Sequence, residues 1–167
     1  MGGVLRELIA DAPVLTDGAW GTQMQARGLE PGTCPDAWNL THPERVEEVA
    51  QAYVEAGSRV IITNTFGGTR FTLKRYGLAD RAREINRIGA EISRRAAGNR
   101  AKVFGSIGPT GVMLMMGDVS PETLREAFAE QARALAEGGA DALVIETMSD
   151  TAEARLAAEA AKQTGLE

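Results

Sequence analysis

Residues 60–68 read Val-Ile-Ile-Thr-Asn-Thr-Phe-Gly-Gly. Three β-branched apolar residues give way at once to polar residues ending in glycine, which is how a buried strand looks where it runs into a loop. The pattern recurs three more times. Pro13-Val14-Leu15 leads into Thr16-Asp17-Gly18-Ala19-Trp20-Gly21-Thr22, and Lys102-Val103-Phe104 into Gly105-Ser106-Ile107-Gly108-Pro109-Thr110-Gly111. Ala142-Leu143-Val144-Ile145 leads into Glu146-Thr147. Apolarity is continuous in each run rather than alternating, as expected of strands covered on both faces.

Amphipathic helices are predicted between the runs. Val46, Val49, Ala50, Tyr53 and Val54 line one helical face, with Thr41-x-x-Glu44 as a capping box and Gly57 as a stop. A second helix is predicted from about Asp80 to Ala97, with Ile85, Ile88, Gly89, Ile92 and Ala96 inward and Gly98 closing it. A third opens on Ser120 with Pro121 at its first position and ends at Gly138-Gly139; a fourth runs from Asp150 towards Lys162, with Asp150-x-x-Glu153 as a weaker box. Strand and helix alternate four times, which implies βα units around a parallel sheet. A doubly wound sheet and part of a (β/α)8 barrel both satisfy that order; a complete barrel needs eight units and about 250 residues. The segment 17–41 is long for a βα connection and reads as a functional loop.

The chain has 167 residues, 44% hydrophobic and 25% charged, the composition of one ordinary globular domain. Eighteen basic against 23 acidic residues give a net charge of −5, and no Lys/Arg cluster stands out, which argues against a nucleic-acid partner. No apolar run has the roughly 18 residues of a membrane span and no signal pattern opens the chain, so the expected address is cytoplasmic, without a membrane. One Cys and one His exclude an intramolecular disulfide and cannot together build a zinc site.

Asp17, Asn64-Thr65, Ser106 and Glu146 stand at the ends of the four predicted strands, among glycines. In parallel α/β folds this is the ligand-binding edge. Asp17-Gly18 alone also reads as a turn, and Asn64-Thr65 as a strand terminus. Glu146 is sharper, because a carboxylate directly after four apolar residues needs a partner. Together, Asp17 and Glu146 suit an ammonium group, and the Gly18 and Ala19 amides suit a carboxylate, which makes an amino-acid site. The glycines of 105–111 lack a phosphate-loop signature. Cys34 reads as an incidental loop thiol, His42 as a first-turn surface residue, and Met113, Leu114, Met115 and Met116 as packing or interface.

Asp17-Gly-Ala-Trp-Gly-Thr22, Trp38-Asn-Leu-Thr41, Thr63-Asn-Thr-Phe-Gly67, Tyr76-Gly-Leu78, Glu84-Ile-Asn86, Gly105-Ser-Ile-Gly-Pro-Thr-Gly111 and Glu146-Thr147, in that order, resemble the homocysteine S-methyltransferase domain. The likeness is strongest to the N-terminal module of cobalamin-dependent methionine synthases and spans about residues 8–165. The resemblance implies a (β/α)8 TIM barrel, of which residues 1–167 would be the first four βα units, a half-barrel with the C-terminal half absent. It implies homocysteine as substrate, bound by Asp17, Gly18, Ala19, Asn64, Thr65 and Glu146. It further implies a zinc ion that activates the thiol, on three cysteines of the missing half that Cys34 does not match, and methylcobalamin from another domain as methyl donor. No catalytic or metal-ligating residue is therefore assigned within this chain. The isolated half is expected to be inactive and to self-associate or pair with a C-terminal half-barrel; the alternative is a non-catalytic binding or assembly module.

Overall fold

The computed structural model describes residues 3–10 and 13–167. A parallel three-stranded sheet, in the order β1 (Val60–Ile62), β2 (Lys102–Ile107), β3 (Ala142–Ile145), forms its centre. The register sets Ile61 against Val103, and Gly105 and Ser106 against Leu143 and Val144. Helices α1 (Val4–Ala10), α2 (Trp20–Ala26), α3 (Trp38–Thr41) and α4 (Pro43–Glu55) precede β1. Helices α5 (Arg70–Lys74) and α6 (Ala82–Ala97) connect β1 to β2, α7 (Pro121–Glu137) connects β2 to β3, and α8 (Thr151–Lys162) follows β3. No helix of the described residues is long and apolar enough to cross a membrane.

The sheet has two unlike faces, because successive side chains alternate along a strand. Ile61 and Val103 point into a core with Val46, Val49 and Ala50 of α4 and Ile92 and Ala96 of α6. Ile107, with Leu143 and Ile145 at its border, joins a second core with Leu124, Phe128 and Leu135 of α7 and Ala157 and Ala160 of α8. The opposite face carries Ile62, Phe104 and Val144, only half-buried, and ends in Ser106 and Glu146. Gly105 fits the helix-facing side by necessity: a Cβ there would lie 2.7 Å from Leu143 Cδ2 and 3.0 Å from Leu135 Cδ1.

Four expectations are corrected. The run 13–15 is not a full strand but a single bridge, Thr16 opposite Val60, held by Arg59 N–H to Leu15 O at 2.8 Å and Asp17 N–H to Val60 O at 3.0 Å. Pro13 has no N–H to offer a ladder, and Leu15 stays 62% exposed because none of the described residues covers that edge. The Thr41–Glu44 box does not form: Thr41 ends α3 and donates back to Ala37 O at 3.2 Å, leaving His42 at the cap of α4, its ring 4.8 Å from that of Trp38. Asp150 caps α8 through Ala152 N–H at 2.8 Å, but Glu153 reaches across instead and accepts from Thr110 N–H at 2.8 Å and Thr110 Oγ1 at 2.5 Å. The segment 17–41 is not open loop, since it contains α2, α3 and a 3-10 turn at Pro35–Ala37. The stops at Gly57 (φ 99°) and Gly98 (φ 50°) and the Ser120 cap on Thr123 N–H stand as expected.

Gly105→Ala should destabilise the chain by about 1–3 kcal/mol in urea unfolding, the usual range for overpacking a filled core. Gly21→Ala, in exposed α2 with nothing within 4 Å of the added Cβ, should instead be neutral or gain up to about 1 kcal/mol.

Candidate functional site

The carboxyl ends of β1 and β3 and the segment after Thr16 converge on one cavity of about 450 Å3, lined by Gly18, Ala19, Trp20, Asp36, Asn64 and Glu146 among others. The exit from the Thr16 bridge sets Asp17 directly before the lining residues Gly18, Ala19 and Trp20. Asp17 Oδ2 accepts from Trp20 Nε1 at 2.7 Å and from Ile62 N–H at 2.8 Å, so the first rim segment is tied to the last residue of β1. Burial pushes the Asp17 carboxyl above the usual carboxylate range; the two hydrogen bonds oppose this, and the negative charge of Glu146 adds to it. Glu146 N–H is held by Ile107 O at 3.1 Å, and its Oε1 accepts from Ser106 Oγ at 2.5 Å. The next residue, Thr147, has φ 60°, a strained backbone for a β-branched side chain and one that clusters at functional sites. On the far side of the rim, Tyr53 donates its hydroxyl to Ala19 O at 2.9 Å, and a Cβ on Gly18 would come 3.3 Å from that hydroxyl.

Asn64 belongs to the wall with most of its bonding already spent. Its Nδ2 donates to Pro35 O at 2.9 Å and Asn39 Oδ1 at 3.0 Å, while Asn39 Nδ2 returns bonds to Asn64 O at 2.8 Å and Ile85 O at 3.1 Å. With both N–H groups engaged, only Oδ1, an acceptor, is left for a ligand. Thr65 is not brought to the cavity. It is fully buried, its hydroxyl set 2.5 Å from Thr63 Oγ1 and donating to Ser106 O at 2.8 Å, so it braces β1 against β2. Asp36 is a wall residue that the sequence reading misses. It is buried, accepts from Gly67 N–H through Oδ1 at 3.0 Å, and burial pushes its carboxyl up to about 6. Its only sequence signal is an acid set inside the apolar context Cys34-Pro-Asp-Ala-Trp38.

The cavity is thus lined by two acids, Glu146 and Asp36, and by Asn64, with Asp17 beside it within electrostatic reach of Glu146, and among the described residues no Lys, Arg or His lines it. That lining favours a ligand with a positive group. The exposed Met113, Met115 and Met116 lie outside it.

The sequence profile of homocysteine S-methyltransferases matches residues 14–167. The chain belongs to the homocysteine S-methyltransferase family. It is 35% identical over 160 positions to the methionine synthase of Mycobacterium tuberculosis (strain ATCC 25618 / H37Rv), covering 87% of this chain and 13% of that protein. The methionine synthase of Mycobacterium leprae (strain TN) gives the same identity and coverage. Among solved structures, the metallated form of the homocysteine methyltransferase MmuM from Escherichia coli superposes with a TM-score of 0.82 at 25% identity, over 96% of this chain and 63% of that one. Its oxidised form gives a TM-score of 0.77 at 27% identity, over 94% and 61% of the two chains. The chain therefore spans about an eighth of the curated relatives and under two thirds of the solved ones.

One solved relative, MmuM, is described in a metallated form, and the described residues of this chain do not fit a metal. Among the described residues no three His, Cys, Asp or Glu side chains are grouped to hold an ion. Cys34 is buried, and burial, helped by the Asp36 charge, pushes its thiol up to about 11, so it stays protonated and a poor ligand at neutral pH. A second cavity, about 320 Å3 at the amino ends of the strands, is lined by Arg59, Arg94, Arg100 and Lys102, but Arg94 is bonded to Asp141 at 3.0 Å and Lys102 lies 3.9 Å from Glu7.

The raised Asp36 carboxyl fixes the sign of a pH effect. A carboxyl pushed to about 6 in the fold, above its ordinary value of 3.8, favours the fold while protonated; that contribution is complete below about pH 4 and is lost as pH rises through about 6. Asp36→Asn, which keeps an acceptor for Gly67 N–H, should unfold at higher urea than the parent at pH 8, by on the order of 2 kcal/mol, and lose that advantage below about pH 4.

Proposed function

We propose that this chain binds the amino-acid end of homocysteine, as the first half of a (β/α)8 barrel whose complete form methylates that substrate. The observation that carries the reading is a cavity lined by Gly18, Ala19, Asn64 and Glu146, with Asp17 next to it in sequence and close enough to Glu146 for that charge to raise its pKa. Two carboxylates and one amide oxygen with no cation among them are what an ammonium group would satisfy, each charged hydrogen bond contributing about 1.5–3 kcal/mol. The Gly18 and Ala19 backbone, open at the rim, would take the substrate carboxylate, and Asp17 is held in place for this by Trp20 and Ile62.

The half-barrel reading has its own support. Phe104 and Val144, on the face turned away from the helical cores, are only half-buried, where a closed barrel's interior would cover them. At the outer edge of β3, Leu143 N–H already donates to Glu167 O at 2.7 Å, the position at which a further parallel strand would begin to pair. In this reading the metal ligands lie outside these residues, methylcobalamin carried by another domain is the methyl donor, and the chain does not transfer methyl groups by itself. Its open edge and apolar face would pair with a C-terminal half-barrel or with a second copy.

Calorimetric titration with homocysteine under reducing conditions tests the site. Asp17→Asn and Glu146→Gln should each weaken binding by about 10–100-fold, the cost of losing one charged partner. Parent-like affinity in both variants would remove the basis for the reading. The division of labour is tested separately: the chain should show no stoichiometric zinc binding against a competing chelator, and activity should appear only when a C-terminal half is supplied.

A further inference from the structure

Asp36 is a costly choice for a residue that only holds a loop. Asparagine has the same shape, would accept the same Gly67 N–H bond, and would avoid placing a charge in a buried position. Among the described residues, the groups around it offer no compensating cation. Its own segment brings the uncharged Cys34 thiol, 4.0 Å from Oδ2; the 64–67 loop brings backbone and Asn64; α5 brings Thr72. The other titratable groups lining the cavity are Tyr76, beyond the end of α5, and Glu146, with Asp17 within electrostatic reach of Glu146.

What this segment does hold is both ends of one wall. Pro35 O takes Asn64 Nδ2 at 2.9 Å, and Asp36 Oδ1 takes Gly67 N–H at 3.0 Å, so residues 64–67 are clamped at each end by two consecutive residues. The fit at the Gly67 end is close, since a Cβ there would lie 2.9 Å from Asp36 Oδ2. The clamp decides where the side-chain oxygen of Asn64, Oδ1, is directed. A hydrogen bond to an ionised acceptor is roughly twice as strong as one to a neutral acceptor, so the clamp is tighter when Asp36 is charged.

We propose that Asp36 is a positioning residue for amino-acid recognition: its ionised carboxylate clamps the Gly67 amide, fixes Asn64 with Oδ1 towards the ligand ammonium, and adds a negative pole to the cavity wall. The proposal rests on the amino-acid reading above and adds to it a pH-dependent control of affinity by a residue that need not touch the substrate. Ionisation of Asp36 strengthens binding, at a cost in stability of the empty chain.

Two measurements on the full chain test it. In ligand-free 1H–15N spectra, the Gly67 amide and the Asn64 side-chain amide should shift together with a midpoint near pH 6 in the parent, and neither should show that step in Asp36→Asn. If both signals behave alike in parent and variant, the clamp is refuted, whatever the chain binds. In homocysteine titrations between about pH 5 and pH 8, parent affinity should rise about 5–10-fold through the same midpoint, the worth of about 1 kcal/mol. Asp36→Asn should lose that step and keep only the dependence due to Asp17, and Asp36→Glu should restore part of it. A step that persists in Asp36→Asn would overturn the assignment to Asp36. Absence of homocysteine binding by the parent at every pH would overturn the amino-acid reading and the recognition role with it, while the ligand-free spectra would still decide the clamp.

Discussion

The bond from Ile62 N–H to Asp17 Oδ2, 2.8 Å long, joins the two parts of the molecule on which the site depends. One is the end of β1, fixed by a parallel ladder and two helical cores. The other is a segment whose only sheet contact is the bridge at Thr16. That bond and the one from the Tyr53 hydroxyl to Ala19 O at 2.9 Å tie the segment after Thr16 to the rest of the molecule, while Trp20 Nε1, donating to the same Asp17 carboxylate at 2.7 Å, fixes its local turn. The same carboxylate is also the group a ligand would meet. Partial burial and the charge of Glu146 keep it short of the stabilisation a carboxylate finds in water, so it is structurally engaged and still in want of a cation.

Beneath the cavity lies a layer of buried side-chain amides. Asn39 and Asn64 exchange bonds; Asn86 Nδ2 donates to Gly68 O and to Ala82 O, both at 2.7 Å; and Gln131 Nε2 donates to Thr65 O at 2.8 Å. These residues come from α3, α6 and α7, so three separate elements fix the backbone of residues 64–68. Buried amides earn little net stability, but they define one geometry where apolar packing would tolerate several. There is no room to relax it at Gly68, where a Cβ would meet Asn86 Oδ1 at 2.2 Å, or at Gly89, where it would meet Asn39 Nδ2 at 2.6 Å. A wall that must present one amide oxygen in a set direction needs such rigidity.

Much of this was legible in the chain. The runs at 60, 102 and 142 are strands, and the helix faces at Val46–Val54 and Ile85–Ala96 pack inward, because local apolar periodicity and tertiary burial agree there. Asp17, Gly18, Ala19, Asn64 and Glu146 fall together at the strand ends because the topology of a parallel sheet puts every βα loop on one edge. What could not be read depended on contacts distant in sequence. The run at 13–15 has strand composition but a sheet neighbour on one side only. Thr65 follows Asn64 directly, yet its hydroxyl is turned inward to Ser106, 41 residues away. Asp36 becomes a cavity residue only through the Gly67 amide, 31 residues on, and Glu153 leaves its helix cap for Thr110 because that loop folds against α8. Short-range rules supply the capping box; long-range packing decides whether it forms.

The central claim is that Asp17 and Glu146 share one ammonium group. It is tested most directly by following the 13C signal of the Asp17 carboxyl against pH, with and without saturating homocysteine. The account predicts a titration above the ordinary aspartate range in the free chain that moves to lower pH when the ligand is bound, because the cation offsets both burial and the charge of Glu146. A midpoint that stays in place, or rises, with homocysteine bound would contradict it.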